Sequence, residues 1–216
     1  MASVATLYDI HGNLAALDAV LAEVPANATI VVGGDVCAGG DDPAGTLERL
    51  RGLGDRVFWL RGNADRELKA GESGLAPADV IEPTRSALTE EQIDFLWSNP
   101  PTVRMASSKL GRMLFCHASP RNDVDIFTER TPDERIAFLF EGLAADVVVC
   151  GHTHTQFERT VAGVRIVNSG SVGMPYEEEP GAYWRLDLER RFTPYDGAKL
   201  AATREEAVTE FTERGL

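Results

Sequence analysis

Short apolar runs recur along this chain. Each breaks into a turn that sets aspartate, asparagine or histidine beside glycine or another small residue. Residues 4–8 lead into Asp9-Ile-His11-Gly-Asn13, and residues 29–32 into Gly33-Gly-Asp35. Residues 56–60 lead into Arg61-Gly-Asn63-Ala-Asp65, residues 113–116 into His117-Ala-Ser, and residues 147–150 into Gly151-His152-Thr-His154. Runs this short and apolar suit buried strands. Between them lie helical patterns. Leu14, Leu17, Val20, Leu21 and Val24 share one helical face behind Asn13, a good N-cap, and residues 47–53 also read as a helix. This strand–helix alternation predicts a parallel sheet covered by helices.

The rhythm breaks over residues 64–103. Residues 67–79 are rich in glycine, alanine and charge. Residues 89–97 open on Thr-Glu-Glu and continue as an amphipathic helix through Ile93, Phe95, Leu96 and Trp97, until Asn99-Pro-Pro101 stops it. This stretch reads as an inserted, lid-like segment within one domain spanning residues 1–216. Beyond it, residues 103–107 and 112–116 pattern as a hairpin, and residues 132–143 as a helix with an acidic first turn. Strands follow at residues 146–150, 164–167, 183–188 and 191–193, then a polar helix at residues 200–213.

With 34 acidic against 21 basic side chains, the net charge is −13. That field repels a polymer of phosphates, so no extended nucleic acid is expected as a partner. A small phosphorylated substrate remains compatible where local cations offset the charge. No stretch approaches the ~20 apolar residues of a membrane span, and no basic leader precedes residue 9, so a cytoplasmic protein without membrane contact is expected. The odd count of cysteines, Cys37, Cys116 and Cys150, fits reduced, partly buried thiols. The oligomeric state is left open.

The residue types that bind metals sit at the strand ends, where the loops of an open α/β sheet converge. The candidate ligands are Asp9, His11, Asp35, Asn63, His117, His152 and His154. Asp9 and His11 are two apart; in extended backbone such a pair points the same way and reaches one ion. His152 and His154, also two apart after a strand, make a good start for a transition-metal site. Taken singly, several of these motifs read equally well as turns or helix caps. Together they do not, because all four histidines of the chain follow strand-like runs. Imidazole with carboxylate suits Mn, Zn, Fe or Ni better than Mg or Ca. Two dications held by two carboxylates and neutral donors retain about +2 of charge, enough to draw in a phosphate. Two such ions about 3.5–4 Å apart lower the pKa of a bridging water and stabilise charge developing in an in-line attack.

The order Asp-x-His, Gly-Asp, Gly-Asn, His, Gly-His-x-His from Asp9 to His154 resembles the calcineurin-like metallophosphoesterase superfamily. The stretch Val167-Asn-Ser-Gly-Ser-Val-Gly-Met-Pro175 resembles its small bacterial and archaeal phosphodiesterase branch. The resemblance implies an α/β fold, a four-layer α/β/β/α sandwich of two mixed sheets. It implies two divalent ions, with Asp9, His11 and His154 on one, Asn63, His117 and His152 on the other, and Asp35 bridging. It also implies attack by a metal-bound hydroxide with no covalent enzyme intermediate. One position departs from the pattern. Many members carry a histidine after the asparagine, thought to protonate the leaving group; here the residue is Ala64. General acid help is worth roughly 10²–10⁴-fold, so esters with good leaving groups are the expected substrates.

Asp65 is a candidate replacement acid, or else a partner for Arg61 or Arg66. Arg66 and Arg121 are candidate phosphate contacts, or else surface ion pairs. The function expected is a metal-dependent phosphodiesterase acting on a nucleotide or other small phosphate ester. A phosphoprotein phosphatase and a non-catalytic scaffold, as in the retromer subunit of this fold, are the alternatives.

Overall fold

A computed structural model describes residues 3–69 and 74–216 of the protein. Strands β1 (Val4–Leu7), β2 (Thr29–Val32) and β3 (Val57–Trp59) run parallel, joined by helices α1 (Leu14–Glu23) and α2 (Pro43–Arg51). The Asn13 side chain caps α1, accepting the Ala16 N–H at 3.0 Å. Helix α2 starts earlier than its apolar spacing predicts. Asp42 caps it by accepting the Gly45 N–H at 2.8 Å, and Pro43 fills the first turn, where a missing N–H costs nothing.

Helices α3 (Asn63–Glu67), α4 (Ala78–Ala87) and α5 (Glu90–Ser98) follow. Helix α3 continues the third ligand turn, so the break in rhythm starts after it rather than at residue 64. Thr89 and Gln92 cap α5 reciprocally, as the sequence predicts. Helix α4, with Pro83 inside it, was hidden by its glycine- and proline-rich surroundings. Part of the expected insertion, residues 70–73, lies outside the described residues.

The predicted hairpin forms from β4 (Thr102–Ser107) and β5 (Gly111–Cys116). Next come α6 (Asp133–Ile136), β6 (Val147–Cys150), β7 (Glu158–Val161), β8 (Val164–Asn168), β9 (Tyr176–Glu177), β10 (Ala182–Leu186), β11 (Glu189–Thr193), β12 (Ala202–Thr203) and α7 (Arg204–Arg214). The helix expected over residues 132–143 is short: α6 gives way to a tight 3₁₀ turn at Ala137–Leu139, and Gly142 takes a left-handed φ of 71°.

The two five-stranded sheets run β11-β10-β1-β2-β3 and β4-β5-β6-β8-β7. In the first, the parallel strands β1, β2 and β3 continue on one side into antiparallel β10 and β11; in the second, parallel β5, β6 and β8 lie between antiparallel β4 and β7, so both are mixed. Alternation along each strand divides the core into layers. Val4, Tyr8 and Val31 of the first sheet pack against Phe115, Val147 and Val149 of the second. Ala5, Leu7, Ile30 and Val32 face away, onto Leu17, Val20 and Leu47 of α1 and α2. On the far side, Val148 and Cys150 pack with Phe127, Ile136 and Phe140. The result is helix, sheet, sheet, helix. Among the described residues, no helix is long and apolar enough to cross a membrane.

Candidate metal centre

Strands β1, β2 and β3 point their carboxyl ends the same way within one sheet, and β5 and β6 do so in the other. The loops leaving these ends meet and bring all seven candidate ligands together. All are buried except His152, which is half-buried. Asp9, His11 and His154 form one group, and Asp35, His117 and His152 a second; within each group the donor atoms lie within 4.8 Å of one another. Asn63 joins the second group, its Oδ1 3.1 Å from His117 Nε2. Asp9 Oδ1 lies within 4.0 Å of the Nε2 atoms of His11, His154 and His117, so this oxygen reaches both groups.

His152 and His154 part, as the order of the motifs implies. The two do not share an ion site; each joins a different group. Asp9, His11, Asp35, His152 and His154 all have positive φ, between 52° and 67°. In extended backbone residues two apart share a side, but left-handed residues turn the chain sharply, so the alternation rule does not hold there. Among the described residues, only three other non-glycine residues have positive φ. Such strain concentrates where the surrounding structure enforces it. Close approach enforces it here: a Cβ on Gly34, itself at φ 94°, would meet the Gly62 nitrogen at 2.5 Å.

Backbone carbonyls fix the imidazoles. His11 Nδ1 donates to Ala38 O at 2.6 Å, His154 Nδ1 to Met174 O at 2.7 Å, and His117 Nδ1 to Gly33 O at 2.9 Å. A carbonyl only accepts, so each of these Nδ1 atoms carries a proton. On His11 and His154 that leaves the Nε2 lone pair facing inward, as carbonyls behind metal-binding histidines commonly arrange. The His11 and His154 Nε2 atoms then face each other at 3.1 Å. Beside them, Asp9 Oδ1 is buried without a hydrogen-bond partner, while Asp9 Oδ2 accepts the His152 N–H at 2.8 Å. Opposed lone pairs next to an orphaned carboxylate oxygen repel one another unless a cation lies among them. The donor set fits divalent metal ions.

The charges agree. Burial resists ionisation of Asp35, yet His117 holds its carboxyl well below the usual carboxylate range. Burial also opposes charge on His117, but Asp35 and Asp9 push it up to about 10. His152 is pushed down to about 4 by burial and by His117, which leaves its imidazole neutral at pH 7.

Asp65 is 1% exposed and faces away from solvent. Its carboxylate accepts three backbone N–H groups: Asp35 at 2.8 Å, Val36 at 3.0 Å and Gly62 at 3.0 Å. Burial and the Asp35 charge push it up to about 7, and the N–H donors act against this. Its oxygens are committed to the main chain, so the structure makes it a clamp rather than a proton donor. The phosphate contacts expected at Arg66 and Arg121 take the ion-pair form instead. Arg66 Nε lies 2.8 Å from Asp123 Oδ2, and Arg121 Nε 3.0 Å from Asp125 Oδ2. Neither arginine lines the cavity over the cluster.

That cavity, of about 270 Å³, is lined by residues the sequence did not single out: Leu75, Pro77 and Val80 from the expected insertion, Met174 and Tyr176, and Phe211 and Arg214 of α7. Glu67 was also missed. It is 3% exposed and accepts Asn63 Nδ2 at 3.2 Å, which turns Oδ1 of that amide toward His117. It also accepts the N–H groups of Leu75 at 3.0 Å and Ala76 at 2.9 Å. A buried glutamate four residues after a ligand on one helix was the available signal. The three thiols are fully buried, and none joins either ligand group.

Several known proteins resemble this chain. An uncharacterized protein of Methanocaldococcus jannaschii is 27% identical over 175 residues, 78% of this chain and 69% of the relative. A symmetrical bis(5'-nucleosyl)-tetraphosphatase of Sodalis glossinidius is 30% identical over 128 residues, 56% of this chain and 45% of that protein. The crystal structure of a metallophosphoesterase from Sphaerobacter thermophilus superposes with a TM-score of 0.72, covering 100% of this chain and 99% of that one at 23% identity. The model of the calcineurin-like phosphoesterase superfamily domain matches residues 3–191. With that match over a two-sheet fold and a clustered Asp, Asn and His set, the chain belongs to the calcineurin-like phosphoesterase superfamily.

Proposed function

We propose that the protein is a dinuclear metal-dependent phosphodiesterase acting on a nucleotide or another small phosphate ester. The observation that carries this is the pair of facing His11 and His154 nitrogens beside the unpartnered Asp9 oxygen. Asp9, His11 and His154 would hold one ion, and Asn63, His117 and His152 the other, with Asp35 between them. Manganese is the ion we assign, with zinc, iron or nickel as alternatives; a mixed imidazole and carboxylate set suits all four. Once bound, the two ions supply Lewis acidity toward a phosphoryl group and an acidified water.

The chain's own residues do the rest. The carbonyls of Ala38, Gly33 and Met174 orient three imidazoles, and Asp65 fixes the main chain of Asp35. The apolar cavity walls exclude water from the reacting phosphate. All four histidines stand in the ligand set, and Ala64 lines the cavity where many relatives carry a fifth. No imidazole is left to protonate a leaving group, which supports esters whose leaving groups depart as anions. The cavity suits a small molecule better than a phosphoprotein surface. The buried thiols fit a reducing cytoplasm.

The test is hydrolysis of bis-p-nitrophenyl phosphate and p-nitrophenyl phosphate by metal-stripped protein, before and after Mn²⁺ is added. Restored cleavage favouring the diester is expected, and Asp35→Asn should abolish it. Preference for the monoester overturns the diesterase assignment. Absence of both bound metal and cleavage assigns the protein to the scaffold class.

A further inference from the structure

The match to the superfamily ends at residue 191, but the cavity does not. Helix α7 lies beyond that point and forms one wall of the cavity with Phe211 and Arg214. An aromatic path leads there from the ligand cluster. The Tyr176 ring lies 4.6 Å from the His154 ring at 30°, and 5.9 Å from the Phe211 ring at 42°. Leu75, Pro77 and Val80 also line this cavity.

The helix is fixed in place. Leu216 N–H donates to Ile126 O at 2.9 Å, Thr212 and Thr128 share a hydroxyl hydrogen bond of 2.6 Å, and Arg204 pairs with Glu177 at 2.7 Å and Glu129 at 2.8 Å. The wall is therefore built before any ligand arrives. Arg214 is the one lysine or arginine among the described residues lining the cavity. Its partner Glu210 and Arg214 itself are 55% and 67% exposed along their side chains, so their attraction is weak and the guanidinium is available to a ligand.

We infer that this aromatic wall is a subsite for the ring of the substrate, a nucleobase or aryl group carried by the ester whose phosphate meets the metal-ligand cluster. Tyr176 and Phe211 offer the ring faces and edges on which such a group packs, and Arg214 supplies a cation at the rim. The inference rests on the phosphoesterase reading above.

The test is calorimetric binding of AMP and of ribose 5-phosphate to manganese-loaded protein. The wild type should prefer AMP, because only AMP carries an aromatic base. Phe211→Ala should cut that preference about 3- to 10-fold, the range for an aromatic contact. Phe211→Leu, which keeps an apolar side chain under α7, should cut it in part without lowering the unfolding temperature. Equal binding of the two ligands to the wild type overturns the subsite, and so does full preference in Phe211→Leu. The two readings fail separately. AMP preference through Phe211 with no diester cleavage keeps the subsite and removes the phosphodiesterase. Cleavage of bis-p-nitrophenyl phosphate by a protein blind to the base does the reverse.

Discussion

The carboxylate of Asp65 accepts the backbone N–H of Asp35 at 2.8 Å, so the loop carrying one candidate ligand is held by a residue of the helix that carries another, Asn63. Val36 and Gly62 donate to the same carboxylate. Asp65→Ala leaves three buried N–H groups unpaired, each at a cost of about 1–3 kcal/mol. A loss of about 3 kcal/mol or more in urea unfolding is expected, together with weaker metal binding. Wild-type stability in this variant would show that the clamp is dispensable.

Glu67 ties a ligand to the cavity wall, through Asn63 on one side and the main chain of Leu75 and Ala76 on the other. Glu67→Gln sets an amide donor against donors. Affinity for the second metal should fall about 10- to 100-fold, the usual effect of losing an outer-shell partner. Limited proteolysis should become faster around residues 74–76. Unchanged metal content and unchanged cleavage would refute the coupling.

Ala64 is 2% exposed and lines the cavity. Ala64→His would place an imidazole there that no ligand role claims. Turnover of diesters with poor leaving groups should rise more than turnover of p-nitrophenyl esters. A proportional change in both would show that proton donation is not what the wild type lacks.

Asp146 takes three hydrogen bonds from Arg112, at 2.8 Å from its N–H, 3.1 Å from Nε and 2.7 Å from Nη2. These lower its pKa from 3.8 to about 2. A depressed carboxyl contributes stability above its unfolded pKa and loses it as the pH falls through its folded one. The wild type should therefore lose this contribution between about pH 4 and pH 2, while Asp146→Asn, which has none to lose, shows a flatter acid limb. Parallel acid limbs in thermal melts of the two proteins would contradict the assignment.

The ligand set was legible because strand ends gather it. Short apolar runs give strands, strands of a parallel sheet end on one side, and the residues just past those ends converge wherever the intervening helices pass. Asp9, Asp35, Asn63 and His117 needed nothing more. Spacing alone does not tell which group His152 and His154 each join, because left-handed φ values cannot be read from residue order; the order of the motifs implies it. Asp65, Arg66 and Arg121 follow ligand motifs in the sequence, but the direction of a polar side chain depends on its partners, here backbone N–H groups, Asp123 and Asp125. Phe211 and Arg214 were invisible for a different reason. Nothing local in a polar terminal helix states which face of the domain it will dock against. Helix α4 was hidden by Pro77 and Pro83, whose usual meaning as breakers was overridden by burial of Ile81 and Thr84.

Left-handed backbone occurs in two kinds of place in this protein. Ala162, Asp187 and Leu188 turn hairpins, whereas Asp9, His11, Asp35, His152 and His154 carry donors. In a hairpin the strain is removable. Ala162→Asn beside Gly163 should raise the melting temperature, with a gain of about 1 kcal/mol, because asparagine tolerates this conformation. At the five donors glycine would relax the backbone and delete the side chain that the position exists to present. Thermal robustness and chemistry thus compete for the same five codons, and a lineage adapting to heat has to find its gains elsewhere in the chain.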